Sequence, residues 1–266
     1  MKYRLLLLLP LMLSCADTPV PGPPGFPEGT LVDLTYAFDS TTIFWPTANG
    51  FELSVDARGR QEAGYWYEAN SFSTAEHGGT HLDAPVHFSE GQWTTDAIPL
   101  TRLIGPAVVV DVSEAALANR DYLVSVADFE RWESEHGLLP DGVIVLVRTG
   151  YGAFWPDREQ YMGTAERGPD AIQLLHFPGI APEAASWLAT ERTINAIGID
   201  TPSIDTGQSQ LYEAHQNLFA ANIPAFENVA NLDRLPASGA TVIALPMKIT
   251  GGSGGPLRIV AVVPDM

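Results

Sequence analysis

Residues 76–88 read Glu76-His77-Gly78-Gly79-Thr80-His81-Leu82-Asp83-Ala84-Pro85-Val86-His87-Phe88. Three of the chain's six histidines and one aspartate fall within this stretch. His77, His81, Asp83 and His87 share one parity, and in an extended chain residues of one parity point to one face. A straight segment would hold His77 and His87 about 33 Å apart at ~3.3 Å per residue, too far for one ion to touch both. Gly78, Gly79 and Pro85 are the residues that let the segment bend. His81 and Asp83, two apart, can chelate one ion without distortion. A helix is excluded by the two glycines and the proline. Solvated loop histidines are the bland alternative; the shared parity and the bendable spacing favour metal ligands instead.

Downstream, His215 follows an acidic stretch and Glu227 lies in Phe226-Glu227-Asn228. Read alone, the pair is weak, since Glu227 fits a surface carboxylate and His215 a helix-end histidine. Beside the first cluster, one more His and one more carboxylate would complete a second metal shell. Composition narrows the chemistry further. Cys15 is the only cysteine among 266 residues. It can form neither an internal disulfide nor a thiolate zinc site, so any metal must be held by His, Asp and Glu. Lys and Arg number 14 against 32 Asp and Glu, for a net charge of −18, which argues against nucleic acid as a partner. Hydrophobic residues at 45 % and charged residues at 17 % provide for a sizeable core and exclude a disordered chain.

The rest of the chain alternates strand and helix signals. Strands are expected over Leu31–Phe38, Phe51–Val55, Tyr65–Thr74, Leu103–Val112, Val143–Val147, Ile194–Ile199, Thr241–Leu245 and Leu257–Val263. Helices are expected over Val126–His136, closed by Gly137, over Pro169–Leu175, and over Pro182–Thr190 with Pro182 at its start. Strands outnumber helices, which indicates a single α/β domain with a mixed sheet. The first fourteen residues stand apart. Lys2 and Arg4 precede an apolar run, Leu5 to Leu13, too short to span a bilayer. Cys15 follows Ser14 directly, so residues 1–14 read as a lipoprotein-type signal and Cys15 as the lipidated residue. An ordinary cleaved signal with a stray cysteine is the alternative. Residues 15–30 are proline-rich and read as a tether, with the domain over 31–266. The protein is then expected to be exported, facing the periplasm or held on the outer membrane, and attached to a membrane only through Cys15.

His77-Gly78-Gly79-Thr80-His81-Leu82-Asp83-Ala84-Pro85-Val86-His87 resembles the His-x-Gly-Thr-His-x-Asp-x-Pro-x-His signature of the cyclase-like metal-dependent hydrolases, a family that includes bacterial kynurenine formamidase and isatin hydrolase. Trp45-Pro46 is similar to the family's Trp-Pro element. Gly198-Ile199-Asp200-Thr201-Pro202-Ser203-Ile204-Asp205 resembles a run of the formamidase branch, and His215, Glu227 and Leu245-Pro246-Met247-Lys248 follow in family order. The likeness covers roughly residues 31 to 263. It implies a swivelling β/β/α fold, commonly homodimeric or larger. It implies a first metal on His77, His81 and Asp83, and a second on Asp83, His215 and Glu227, with Asp83 bridging. It implies His87 as an off-metal general acid/base and Trp45 as a wall of the substrate pocket. The isatin-hydrolase branch implies one manganese and no carboxylate at position 227; Glu227 favours the two-metal arrangement, with zinc and manganese both suited to the donors.

The activity so implied is hydrolysis of the C–N bond of an aryl formamide, of the N-formylkynurenine type, or of a cyclic amide of the isatin type. Amide cleavage needs hydroxide at neutral pH, a grip on the developing oxyanion and a proton for the leaving nitrogen, which metal-activated water and a histidine supply together. Export conflicts with tryptophan breakdown in the cytoplasm, so a lactone or ester hydrolase of the same fold remains an alternative. A non-catalytic envelope lipoprotein that binds metal or a small ligand is another. Asp200, Thr201, Ser203 and Asp205 are divided evenly between support for the ligands and a plain turn at Pro202. His136 and His176 read as structural, and Gly251–Gly255 reads as a flexible turn rather than a phosphate loop.

Overall fold

The structure is a computed structural model that describes residues 27–265. Residues 1–14, read above as a signal, Cys15 and most of the expected tether lie outside the described residues. The strands are β1 (Thr30–Asp33), β2 (Glu52–Arg60), β3 (Trp66–Ser73), β4 (His81–Asp83), β5 (Ile104–Asp111), β6 (Leu123–Val124), β7 (Val143–Arg148), β8 (Gly179–Ile180), β9 (Ile194–Ile199), β10 (Ala225–Glu227), β11 (Ser238–Pro246) and β12 (Gly254–Val263). The helices are α1 (Leu100–Leu103), α2 (Ser113–Ala118), α3 (Val126–His136), α4 (Arg158–Met162), α5 (Pro182–Glu191) and α6 (Glu213–Ala220).

One mixed sheet runs in the order β1-β12-β11-β5-β7-β9-β10-β4. Strands β5, β7, β9 and β10 are parallel neighbours, and the remaining pairings are antiparallel. Strand β12 is long enough to use one edge twice. Its first residues pair with β4 and its last with β1. The β4–β12 pairing closes seven strands into a barrel. A fully closed sheet leaves no open edge at this seam.

The apolar runs at 107–110, 143–147 and 194–199 are continuous because both of their faces are buried. Ala107, Val109, Ile144, Leu146 and Ala196 fill the barrel interior with Leu82, Phe226 and Ile259. Val108, Val110, Val145, Val147, Ile197 and Ile199 face the other way, against Phe129 and Trp132 of α3, Ala184 and Leu188 of α5, and Leu218 and Phe219 of α6. Helix α3 occupies the expected span. It opens on a capping box in which Ser125 and Asp128 exchange hydrogen bonds, and it ends at Gly137, φ 90°.

Three expectations need correction. The strand expected over Leu31–Phe38 stops at Asp33, because Tyr36 N–H turns away to donate to Thr80 Oγ1 instead of a neighbouring strand. Pro169–Leu174 is a 3₁₀ helix with no α-helical turn, closed by Leu175 N–H donating to Ile172 O. Gly251–Gly255 is only partly a turn: Gly254 and Gly255 pair with Asp83 and Leu82 at the start of β12. Helix α6 carries no strong sequence signal of its own, and His215 lies in its first turn. Strands β2 and β3 form a separate ribbon that exposes Leu53, Val55, Trp66, Tyr67 and Phe72. Among the described residues no helix is long and apolar enough to cross a membrane.

Candidate metal centre

The bend demanded by the histidine spacing is made where the glycines stand. Gly78 (φ 155°) forms an isolated bridge with Phe44, and a Cβ there would lie 2.0 Å from the Phe44 ring. Gly79 follows at φ 56°, a left-handed conformation that glycine adopts without penalty. The chain then runs extended for three residues as β4 and leaves through the 3₁₀ turn Pro85–His87. His77 is thus folded back over His81 and Asp83, and His87 is brought up behind them.

Register does the rest. Pairing of β10 with β4 sets Glu227 opposite His81 and Ala225 opposite Asp83. Leu82 and Phe226 point into the barrel, so by the period-two alternation His81, Asp83 and Glu227 emerge together on the opposite side. Helix α6 lies over that side and contributes His215 from its first turn. His81, Asp83, His215 and Glu227 are all buried.

Donor atoms converge closely. His81 Nε2 is 3.1 Å from Asp83 Oδ1 and 3.4 Å from Glu227 Oε2. His215 Nε2 is 3.2 Å from Asp83 Oδ2 and 3.3 Å from Glu227 Oε1. His77 Nδ1 is 2.6 Å from Asp83 Oδ1. Each ring is oriented from behind. His81 Nδ1 lies 2.9 Å from Gly79 O, and a carbonyl can only accept, so Nδ1 carries the proton and Nε2 faces inward. His215 Nδ1 donates to Asp205 Oδ2 at 2.5 Å. Asp205 also accepts from the Ala214 and His215 backbone N–H groups, tying the start of α6 to the same carboxylate. His77 Nε2 donates to Ser253 Oγ at 2.9 Å, and Ser253 Oγ donates to Glu76 Oε2 at 2.7 Å. Such partners fix the tautomer and direction of ligating imidazoles.

The electrostatics fit a cation. Burial opposes ionisation of Asp83, but the charges of His77 and His81 and hydrogen bonds from His215 and His77 hold it well below the usual carboxylate range. Burial and the Asp83 charge push Glu227 up. Burial opposes the charge on His81, yet Asp83 and Glu227 raise it to about 9. His215 is likewise disfavoured by burial and raised well above its ordinary value by Asp205, Asp83 and Glu227. Two buried carboxylates face each other with only imidazoles to balance them, and no Lys or Arg lines the cavity among the described residues. A divalent ion satisfies such a donor set. Two groups of donors lie within mutual ligating reach, His77-Asp83-His87 and His81-Asp83-Glu227, and Asp83 belongs to both.

His87 is part-buried and stacks flat on His77, with ring centroids 3.8 Å apart and planes inclined by 16°. Burial lowers it to about 4, with Asp83 opposing and His77, His215 and His81 reinforcing the shift. Above the centre opens a cavity of about 350 Å³ walled by Ile43, Phe44, Trp45, Phe88, Pro202 and Tyr212. Trp45 is thus one of the residues lining this cavity. Of the Asp200–Asp205 run, Asp205 supports His215, while Asp200 accepts from Thr149 and Gly150 and builds a neighbouring loop. Ser253 and Glu76 escaped the sequence reading, and so did Asn228, whose Nδ2 donates to the same Gly79 carbonyl that orients His81. Glu76 abuts the motif, the one signal that could have found it. His136 and His176 lie outside this site, His176 bound to Asp121.

The Cyclase family model matches residues 32–206. An isatin hydrolase of Roseibium aggregatum is 34 % identical over 209 residues, covering 76 % of this chain and 77 % of that one. A kynurenine formamidase of Salinibacter ruber is 30 % identical over 230 residues, covering 86 % and 96 %. The solved structure of isatin hydrolase A from Labrenzia aggregata, bound to benzyl benzoate, superposes with a TM-score of 0.79 at 34 % identity, covering 89 % of this chain and 94 % of that one. The chain belongs to the cyclase family. It is a metal-dependent amide hydrolase.

Proposed function

We propose that the chain cleaves the C–N bond of a small aromatic amide, a cyclic isatin-type amide first of all, at one or two divalent ions, zinc or manganese, held by His77, His81, Asp83, His215 and Glu227. The observation that carries this reading is the convergence of these five side chains on the floor of an aromatic-walled cavity. When bound, such an ion lowers the pKa of water from about 15.7 towards 7 and polarises a carbonyl oxygen. Asp83 turns Oδ1 to His77 and His81 and Oδ2 to His215, which suits a bridging carboxylate.

His87 acts as the acid/base. Its ring lies flat against that of His77 and lines the same cavity, so it would be placed to exchange a proton with water or substrate held beside the donor set. Held neutral by burial, His87 accepts a proton from water and returns it to the departing nitrogen. The experiment is turnover of isatin and of formanilide by protein stripped of metal and reloaded with zinc or manganese. His81→Ala is expected to lose both ion and turnover. His87→Ala is expected to keep the ion and lose about 10²–10⁴ in kcat. Unchanged turnover in His81→Ala would overturn the assignment. An aryl formamide is the second reading, favoured by Glu227 in the ligand set and by the end-to-end match to the formamidase relative.

We further infer export and lipidation at Cys15, supported by the basic start, the apolar run and Ser14-Cys15. Cys15→Ala is expected to move the protein from the membrane to the soluble fraction. The apolar side chains exposed on the β2–β3 ribbon support a homodimer or larger assembly.

A further inference from the structure

Tyr212 is the residue immediately before α6, and its backbone is left-handed, φ 53° and ψ 47°. Aromatic residues rarely adopt this conformation because Cβ crowds the carbonyl oxygen; glycine and asparagine adopt it readily. Nothing in the local chain demands a ring here. The turn is made by the backbone, with Tyr212 N–H donating to Ser209 Oγ and Tyr212 O accepting from Gln216 N–H. Either Gly or Asn would serve those bonds as well. The hydroxyl makes no hydrogen bond among the described residues.

The strained backbone has one visible result, which is to aim the ring over the mouth of the metal cavity. There it meets Trp45 edge-on at 6.3 Å and lies tilted on Phe88 at 5.2 Å. The three rings come from three separate segments and line one side of the same cavity as His87 and His215. Strain kept at a non-glycine residue persists where it serves a site.

We infer that Tyr212 is a specificity-determining residue, whose ring completes with Trp45 and Phe88 an aromatic slot that selects planar aromatic substrates over aliphatic ones. This rests on the hydrolase reading above and adds the residue that sets substrate class. Tyr212 also meets the His215 ring edge-on at 6.4 Å but makes no hydrogen bond to a donor side chain, so its effect is expected on substrate binding, with metal content as the control.

The test uses metal-loaded full-length protein, with Tyr212→Gly, Tyr212→Asn and Tyr212→Phe. Binding of anthranilate, an aromatic carboxylate probe, is measured by calorimetry, together with KM and kcat for formanilide and for aliphatic N-methylformamide. Tyr212→Gly and Tyr212→Asn are expected to keep the metal content and to melt at or above the parental temperature, since both relieve the left-handed strain. They are expected to weaken anthranilate binding, to raise the formanilide KM by about tenfold, and to lower the preference for formanilide over N-methylformamide in kcat/KM by a similar factor. Tyr212→Phe, which keeps the ring, is expected to stay within threefold of the parent. Unaltered anthranilate binding in the Gly and Asn variants overturns the proposal, as does a fall in melting temperature and metal content together. Should the parent hydrolyse neither amide, the reaction proposed above fails, while the calorimetric comparison still decides the role of Tyr212.

Discussion

Asp205 shows how one side chain couples backbone and chemistry. It caps the first N–H groups of α6 and holds the Nδ1 proton of His215, so the helix that carries His215 and the tautomer that turns its Nε2 inward depend on the same carboxylate. Asp205→Ala is expected to weaken ion affinity about 10–100-fold, measured by competition with a chromogenic chelator. His81 carries a second prediction. At about 9 it is protonated at neutral pH in the metal-free centre, and an ion can take Nε2 only when that proton leaves. Ion affinity should therefore rise with pH from 7 up to about 9 and lose this contribution to its slope above. Affinity that is flat across that window would show that His81 does not ligate. At this scale the motif was readable from sequence, because His81, Asp83 and their spacing are local. Ser253 was not, because it reaches His77 from 176 positions away through a strand pairing that no local pattern encodes.

Among the elements, α3 matched its expected bounds residue for residue because every determinant is local: Ser125 and Asp128 at the start, Gly137 at the end, and Phe129 and Trp132 on the buried side. Burial works against the Asp128 charge, but the Ser125 N–H and hydroxyl, the Tyr122 hydroxyl and Arg131 hold its carboxyl below the ordinary value. Replacing Asp128 with Ala is expected to cost about 0.5–2 kcal/mol, read from urea unfolding. Because the folded-state value is the lower one, that difference is fully present above the unfolded-state value of about 3.9 and fades as pH falls through the folded one. A difference between parent and variant that persists at pH 2 would argue against the ionised cap. Helix α6 is the opposite case. It starts from a left-handed Tyr212 with no side-chain cap, and its first turn is held by Asp205 from another segment. Strand β4 is three residues long, too short for alternation to declare it, and it exists because β10 and β12 flank it.

For the whole molecule, the candidate ligands sit on the seam of the barrel. Strand β4 is the closing strand, carries His81 and Asp83, and pairs with the strand that bears Glu227. Gly254 of β12 pairs with Asp83 of β4, and a Cβ there would lie 2.5 Å from the His77 ring, so the packing of the seam and the placing of His77 are one constraint. An ion bound there would hold together segments distant in sequence. Its removal by chelation should lower stability by about 2.7 kcal/mol relative to protein held at a hundred times the dissociation constant. Hydrogen exchange should place the loosening at β4, β10, the start of β12 and α6, with β5, β7 and β9 unchanged. Uniform loosening across the sheet would contradict a seam-localised centre.

By itself the sequence pointed to His77, His81 and Asp83 as candidate donors, to the bend at Gly78 and Gly79, to the apolar core strands and to helix α3. Each follows from spacing, backbone freedom or apolar run length within a few neighbouring residues. Only the tertiary structure decided that the sheet closes through β4 and β12, that Glu227 lies opposite His81, and that Asp205, Ser253 and Glu76 stand behind the imidazoles. It also decided that Trp45, Phe88 and Tyr212 meet as one wall. These depend on register between strands and on the docking of α6, which are set by burial summed over the whole core and leave no mark in the local chain.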